Sequence, residues 1–99
     1  MAKHSSESTK STHQGLTPER AFGQVLRELR LSRGFTQADL EATSQIDRAY
    51  LSQLENAKRQ VCLKYLIQLS HGLNVDIGDL LKAVINRIDS AVLEKMLHG

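Results

Sequence analysis

Residues 36–56 of the chain read TQADLEATSQIDRAYLSQLEN, and this stretch decides the fold. Thr36 is a good N-cap for a short helix that is expected to end near Ser44. Three residues further on, Asp47 can cap a second helix, which we expect to run from Arg48 to Asn56. The apolar residues expected to face the core from this pair are Leu40, Ile46, Leu51 and Leu54. The stretch therefore predicts two short helices joined by a three-residue turn.

Helical patterns continue before and after this central pair. The sequence Thr17-Pro18-Glu19 contains a capping residue, a proline suited to the first helical position and an acidic residue that favours a helix N-terminus. This first helix is expected to end at Gly34, because glycine accepts the left-handed backbone of a helix end. A fourth helix is predicted from about Leu63 to Gly72, and Asp76 can cap a fifth. The apolar side of the fourth helix is predicted to be Leu63, Leu66, Ile67 and Leu69.

The predicted fifth helix has an apolar stripe that is longer than a small core needs. The stripe consists of Leu80, Leu81, Val84, Ile85, Ile88, Val92 and Met96. We expect an all-α fold of five helices, with one domain at residues 17–84 and an extended C-terminal helix at residues 85–99. The stripe either caps the monomer core or pairs with a second copy, and its surplus surface favours a homodimer. The predicted dimer interface is Leu81, Val84, Ile85, Ile88, Val92 and Met96.

The composition of the 99 residues limits the class of protein. Only 4% of residues are aromatic and none is Trp, so the core must consist of aliphatic side chains that suit packed helices. The net charge of +2 permits nucleic-acid binding without indicating it. Residues 1–16 have too few apolar side chains to fold, which predicts a flexible tail. A single cysteine, Cys62, and the absence of an apolar leader or membrane-length run predict a cytoplasmic protein.

The polar residues of the central pair fall where a helix-turn-helix would contact DNA. In that motif the second helix enters the major groove and its N-terminal side chains face the base edges. Arg48 suits guanine, Gln53 suits adenine and Ala49 suits a thymine methyl group. The amides at the start of the first helix of the pair favour a phosphate. The predicted DNA-contacting residues are Thr36, Gln37, Arg48, Ala49, Ser52, Gln53, Asn56, Lys58 and Arg59.

Residues 22–81 resemble the Xre/Cro family, the single-domain relatives of lambdoid phage repressors. The matching positions are Phe22-Gly23, Leu26-Arg27, Leu29-Arg30, Arg33-Gly34-Phe35-Thr36-Gln37, Leu40, Tyr50-Leu51-Ser52-Gln53-Leu54-Glu55, Leu73-Asn74-Val75 and Leu80. The resemblance implies a lambda-repressor-like fold and sequence-specific transcriptional regulation of a bacterium or phage, with repression favoured. The segment Asp47–Ser52 also resembles the controller regulators of restriction-modification systems.

The same resemblance implies roles for individual residues. Gln37 would contact the DNA backbone and brace the start of the recognition helix, the second helix of the pair. Asn56 and Lys58 would hold phosphates, while Arg48, Ala49 and Gln53 would contact bases. An ion pair between Arg30 and Glu55 would join the first and third helices. These last two residues are therefore expected to be structural.

Three positions depart from the family pattern. Glu41 replaces a small alanine, and its carboxylate must reach solvent or a cation because burying it unpaired is costly. Gln45 replaces a turn glycine, so it must accept an unfavourable backbone or shift the turn. Cys62 replaces a serine cap, and inert packing of its thiol is favoured over a redox switch. Tyr50 is expected either to pack on the domain edge or to contact a phosphate.

Two other functions stay open. An antitoxin would bind DNA and also neutralise a partner protein through its tail or C-terminal helix. An enzyme is disfavoured, because no nucleophile, base and orienting group occur together and no phosphate loop or metal set is present. We expect no cofactor, no metal and no membrane. The expected partners are double-stranded DNA with an inverted repeat and a second copy of the chain, with RNA polymerase as a further candidate.

Overall fold

The computed structural model describes residues 15–99, and the regular elements of that part are all helices. The expected tail at residues 1–16 lies outside the described residues except for Gly15 and Leu16. The helices are α1 (Pro18–Ser32), α2 (Gln37–Ser44), α3 (Arg48–Glu55), α4 (Leu63–Leu73), α5 (Ile77–Ile85) and α6 (Ser90–His98). The predicted all-α fold class is confirmed, and the described part contains six helices where five were expected.

Side-chain caps fix where the first helices begin. Thr17 Oγ1 accepts the backbone N–H of Arg20 at 3.3 Å, and Pro18 is the first residue of α1. Thr36 and Asp39 form a reciprocal capping box, with the Asp39 N–H to Thr36 Oγ1 distance at 3.1 Å and the Thr36 N–H to Asp39 Oδ2 distance at 2.8 Å. The backbone N–H of Thr36, with its hydroxyl, lowers the pKa of the Asp39 carboxyl. The start of α2 is thus fixed by two residues close in sequence.

The core lies among α1 to α5 and consists mostly of leucine. Its fully buried large side chains are Leu26, Leu40, Ile46, Leu51, Leu54, Leu69, Leu73 and Leu80. Gly23 allows α1 to approach the end of α3, because a Cβ atom there would lie 2.7 Å from the carbonyl oxygens of Leu54 and Glu55. Gly72 similarly brings α4 against Ser44 at the end of α2, where a Cβ atom would lie at 3.0 Å. These close contacts fix α2 and α3 against the rest of the domain.

The C-terminal apolar stripe is divided between two helices. Asp89 caps α6, and its Oδ1 atom accepts an N–H of the first turn at 2.8 Å. In the connection before α6, Ile88 pairs with Leu16 in a parallel bridge, and the Asp89 N–H donates to Leu16 O at 2.9 Å. No residue of helix α6 is itself buried. A local cap and a pairing with the other end of the domain therefore outweigh the apolar spacing, which alone had suggested one long helix.

Several apolar residues lie elsewhere than predicted. Leu63 and Ile67 are expected to face the core from α4, but they are 69% and 53% exposed. The buried apolar side chains of that helix are instead Leu66, Leu69 and Leu73. Val84, expected at a dimer interface, is only 7% exposed because it follows Leu80 by one turn on the buried side of α5. The remaining predicted interface residues are exposed or half-buried: Leu81, Ile85, Ile88, Val92 and Met96. Leu81 and Ile85 lie on α5, Ile88 lies in the connection, and Val92 and Met96 lie on α6, whereas Val84 belongs to the core.

Candidate nucleic-acid interface

The turn between α2 and α3 determines the direction of α3. Gln45 has the left-handed backbone conformation, with φ 66°, and its Nε2 atom donates to Ala42 O at 3.1 Å. Gln45 thus accepts the unfavourable backbone and the turn is not shifted. Ile46 is buried beneath the turn, and Asp47 Oδ2 accepts the Ala49 N–H at 3.0 Å to begin α3. The structure therefore has the two short helices and the three-residue turn expected from the sequence.

Helix α3 has one buried side and one side open to solvent. Leu51 and Leu54 are completely buried. Arg48, Ala49 and Gln53 are exposed on the helix, and Ser52 is half-buried. All four are among the residues predicted to contact DNA. The helix thus presents a donor cation, a methyl group and a carboxamide away from the core.

A largely buried ion pair locks α3 to α1 and α2. Arg30 Nε and Nη2 donate to the two carboxylate oxygens of Glu55 at 2.6 and 3.0 Å, and Arg30 Nη1 donates to Phe35 O at 2.8 Å. The hydrogen bonds to Glu55 raise the pKa of Arg30. Gln37 Nε2 donates to Glu55 Oε1 at 3.1 Å. Gln37 therefore braces the last residue of α3, which corrects the expectation that it braces the start of that helix.

The loop after α3 folds back onto the helix. Asn56 Nδ2 donates to Ser52 O at 2.8 Å and lies 3.5 Å from Ser52 Oγ. Ala57 has a left-handed backbone with φ 59°, and the Lys58 N–H then donates to Gln53 O at 2.8 Å. The side chain of Lys58 is exposed. The loop therefore presents a cation directly beside the open side of α3.

Arg59 contacts two side chains of α3. Its Nε atom donates to Gln53 Oε1 at 2.8 Å, and its guanidinium carbon lies 5.2 Å from the centre of the Tyr50 ring. Tyr50 packs edge-on against Tyr65 with ring centres 4.9 Å apart, and its hydroxyl donates to Gln60 O at 3.3 Å. Of the two expectations for Tyr50, the structure therefore has the packing on the domain edge. The Arg59–Gln53 contact was not predicted from the sequence.

The three departures from the family pattern are accommodated. Glu41 is half-buried and so keeps contact with solvent, and the strained backbone at Gln45 is described above. Cys62 is exposed at the start of α4 and makes no cap hydrogen bond. The expectation that its thiol is packed is therefore wrong. Within residues 15–99, no group of three or more His, Cys, Asp or Glu side chains could hold a metal ion. None of the helices in this range has the length and apolarity needed to cross a membrane.

Comparison with known proteins places this geometry in a family. The helix-turn-helix family matches residues 26–80. Control protein C.MunI of Mycoplasma sp. is 37% identical over 60 residues, which are 60% of this chain and 81% of that protein. The restriction-modification controller protein C.AhdI from Aeromonas hydrophila is 35% identical, with a TM-score of 0.61 over 63% of this chain and 94% of that one. The clp gene regulator ClgR from C. glutamicum is 28% identical, with a TM-score of 0.66 over 71% of this chain and 91% of that one.

The family match spans the central helix pair and α4, together with the second part of α1 and the start of α5. It includes Arg30, Gln37 and Glu55, which lock the pair together, and the exposed side of α3. The chain belongs to the helix-turn-helix family of DNA-binding transcriptional regulators and is homologous to restriction-modification controller proteins.

Proposed function

We propose that the chain is a homodimeric repressor that binds an inverted repeat with α3 in the major groove. The observation that carries this proposal is the exposure of Arg48, Ala49 and Gln53 on a helix whose opposite side is completely buried. Those side chains have no role in the core, and their chemistry matches base edges. The protein acts in the cytoplasm, and its action is binding without chemistry on a substrate.

Phosphate contacts would set the register of α3 in the groove. Helix α2 begins at Gln37, directly after its cap Thr36, and the positive end of a helix favours an anion. Lys58 is an exposed cation in the loop that folds back on α3, and Asn56 lies at the same end of the helix. Contacts on both sides of α3 would hold the helix between two stretches of backbone. Each good bidentate contact from α3 to a base would then add about 1–3 kcal/mol of discrimination.

The dimer would join two copies of residues 17–84 so that their α3 helices lie about one turn of DNA apart. Leu81 and Ile85 support this, because they are one turn apart on α5 and both are exposed. Met96 on α6 is also exposed, so residues 85–99 would extend the contact. A bound dimer at a promoter would exclude RNA polymerase.

The test is selection of bound sequences from a random duplex library, followed by affinity measurements across salt concentrations. The parent protein should enrich an inverted repeat. Arg48→Ala should relax the preference at one position in each half-site, whereas Lys58→Ala should weaken all sequences alike and flatten the salt dependence. Equal losses on specific and random DNA for both variants would contradict the assignment of base and phosphate contacts.

One observation favours a second function, binding of a partner protein as an antitoxin does. Helix α6 buries no residue and leaves Met96 and Leu97 exposed. An amphipathic helix of this kind can lie in the groove of another protein. If the library selection enriches nothing and an untagged protein co-purifies with the chain, this function replaces the first one.

A further inference from the structure

The contact between Arg59 and Gln53 joins the loop after α3 to a side chain predicted to face a base. Arg59 Nε donates to Gln53 Oε1 at 2.8 Å. A guanidinium can only donate hydrogen bonds, so the carboxamide of Gln53 must turn its oxygen toward Arg59. The amino group of Gln53 then points away from that contact, and within residues 15–99 it donates to no other residue. The structure therefore fixes which end of the amide is left for DNA.

Arg59 is itself held in place by an aromatic pair. Its guanidinium lies 5.2 Å from the Tyr50 ring centre, a distance at which a cation is attracted to the ring face. Tyr50 is held by the edge-on contact with Tyr65 at 4.9 Å and by its hydrogen bond to Gln60 O at 3.3 Å. In the described part of the chain Arg59 forms no ion pair with a carboxylate. The arginine is therefore positioned by a ring and an amide, not by a counter-charge.

The orientation of the amide changes which base Gln53 suits. A free glutamine pairs with adenine by donating to N7 and accepting from N6, so it needs its oxygen. Guanine offers two acceptors, N7 and O6, in the same groove. Because Arg59 takes one lone pair of the Gln53 oxygen and turns that oxygen toward itself, Gln53 presents its amino group, and the guanidinium beside it adds further donors. Two acceptors on the base match this set better than one acceptor and one donor.

We propose that Arg59 is a specificity-determining residue that sets Gln53 to prefer guanine over adenine. This inference rests on the proposed function, since it requires that Gln53 faces a base. It gives Arg59 a role different from the direct DNA contact that the sequence predicts. Arg59 acts through Gln53 and is thus a positioning residue.

The DNA test compares duplexes that differ in the one base pair that Gln53 contacts. That position is identified as the one whose preference is lost in Gln53→Ala. Arg59→Lys keeps the positive charge but removes the planar Nε–H donor, so it separates orientation from phosphate attraction. Both Arg59→Lys and Arg59→Ala should move the guanine-to-adenine preference by about fivefold to tenfold toward adenine at that position alone. Lys58→Ala is the matched control, and it should lower affinity without moving the preference.

Other outcomes overturn the proposal in distinguishable ways. If Arg59→Lys binds as the parent does and neither variant moves the preference, Arg59 only contacts a phosphate, and the proposed function stands. If Gln53→Ala changes no position while Arg48→Ala does, Gln53 faces no base, and again only this inference fails. If the parent protein enriches no sequence, the proposed function fails and this inference fails with it.

A measurement without DNA tests the contact itself. The side-chain amide resonances of Gln53 in the free protein should shift in Arg59→Lys and stay unchanged in Lys58→Ala. Both substituted side chains are exposed, so both variants should remain folded. Unchanged Gln53 resonances in Arg59→Lys would show that the arginine does not hold the amide, and the proposal would be overturned.

Discussion

Two arginine–glutamate pairs of the same chemistry fasten different regions of this domain. Arg30 and Glu55 join α1 to the end of α3, and their side chains are 8% and 2% exposed. Arg87 and Glu28 join the connection after α5 to α1, and their side chains are 19% and 59% exposed. Both pairs are bidentate, with nitrogen–oxygen distances between 2.6 and 3.0 Å. The difference between the two regions is therefore in burial and not in geometry.

The two regions therefore differ in how they are held: one by a buried ion pair and the other by an ion pair at the surface. Helices α2 and α3 are held by buried contacts, where Glu55 accepts hydrogen bonds from both Arg30 and Gln37. The C-terminal connection is held at the surface, and the helix that follows it buries no residue. A helix-turn-helix must keep its side chains in fixed positions to discriminate bases. A helix that binds a partner protein can instead gain its buried contacts when the partner binds. The following variants test this contrast, beginning with the largest expected effect.

Removing Arg30 should destabilise the domain most. Arg30→Ala leaves the Glu55 carboxylate desolvated, so we expect the free energy of unfolding to fall by about 3–5 kcal/mol. Urea denaturation followed by circular dichroism measures the loss. Replacing both partners, as Arg30→Met with Glu55→Leu, should recover much of the stability but not the DNA affinity, because Gln37 also loses its partner. A loss below about 1 kcal/mol for Arg30→Ala would mean that the pair behaves as a surface pair.

Adding one methyl group at Gly23 should have the next largest effect. The new Cβ atom would lie 2.7 Å from two carbonyl oxygens at the end of α3, and backbone atoms cannot move aside as a flexible side chain can. We expect Gly23→Ala to lower the free energy of unfolding by about 1–3 kcal/mol and to weaken specific DNA binding, since α3 must shift. Gly78→Ala in α5 is the matched control, because its nearest atom belongs to the side chain of Asp76. Equal effects of the two substitutions would mean that the α1–α3 contact is not tight.

Removing Arg87 should cost far less than removing Arg30. The Glu28 carboxylate is largely exposed, so we expect Arg87→Ala to lower the free energy of unfolding by about 0–1 kcal/mol. The loss should shrink in high salt, because salt screens exposed charges. Affinity for specific DNA should be unchanged at equal dimer concentration. If Arg87→Ala were as destabilising as Arg30→Ala in the same urea titration, the contrast between the two regions would be lost.

The smallest effect concerns the capping box at the start of α2. The pKa of Asp39 is lowered in the folded protein, so its carboxylate stabilises the fold above the unfolded pKa of about 3.9. This contribution is lost as the pH falls through the folded pKa. The difference in unfolding free energy between the parent and Asp39→Ala should therefore be largest near neutral pH and smaller near pH 3. A difference that stays constant over this pH range would show that the charge of Asp39 is not involved.

The sequence was most informative where structure depends on near neighbours. Thr17, Thr36, Asp47 and Asp76 each cap a helix within three residues, and those helix starts agree with the prediction. The pattern of buried leucines in α3 also follows from local periodicity. The ion pair between Arg30 and Glu55 joins distant residues, and it was expected only through the family resemblance.

The features that sequence reasoning missed depend on contacts between distant segments. Apolar periodicity continues through Ile88, but α5 ends at Ile85 and Ile88 pairs with Leu16 at the other end of the domain. Leu63 and Ile67 have the spacing of core residues, yet no helix of the described part covers them. The Arg59–Gln53 contact depends on the left-handed backbone at Ala57, and alanine gives no signal for that conformation.

The pairing of Leu16 with Ile88 also has a consequence for the order of folding. The hydrogen bond from Asp89 N–H to Leu16 O closes a loop that contains α1 to α5. Closing so long a loop is unfavourable in chain entropy while the segments within it are still unfolded, whereas each helix and turn within it forms from residues close in sequence. We therefore expect this bond to form after the helices have assembled and to open before they separate. The two ends of the domain should then separate before α2 and α3 do, so residues added at either end should have little effect on how α2 and α3 fold.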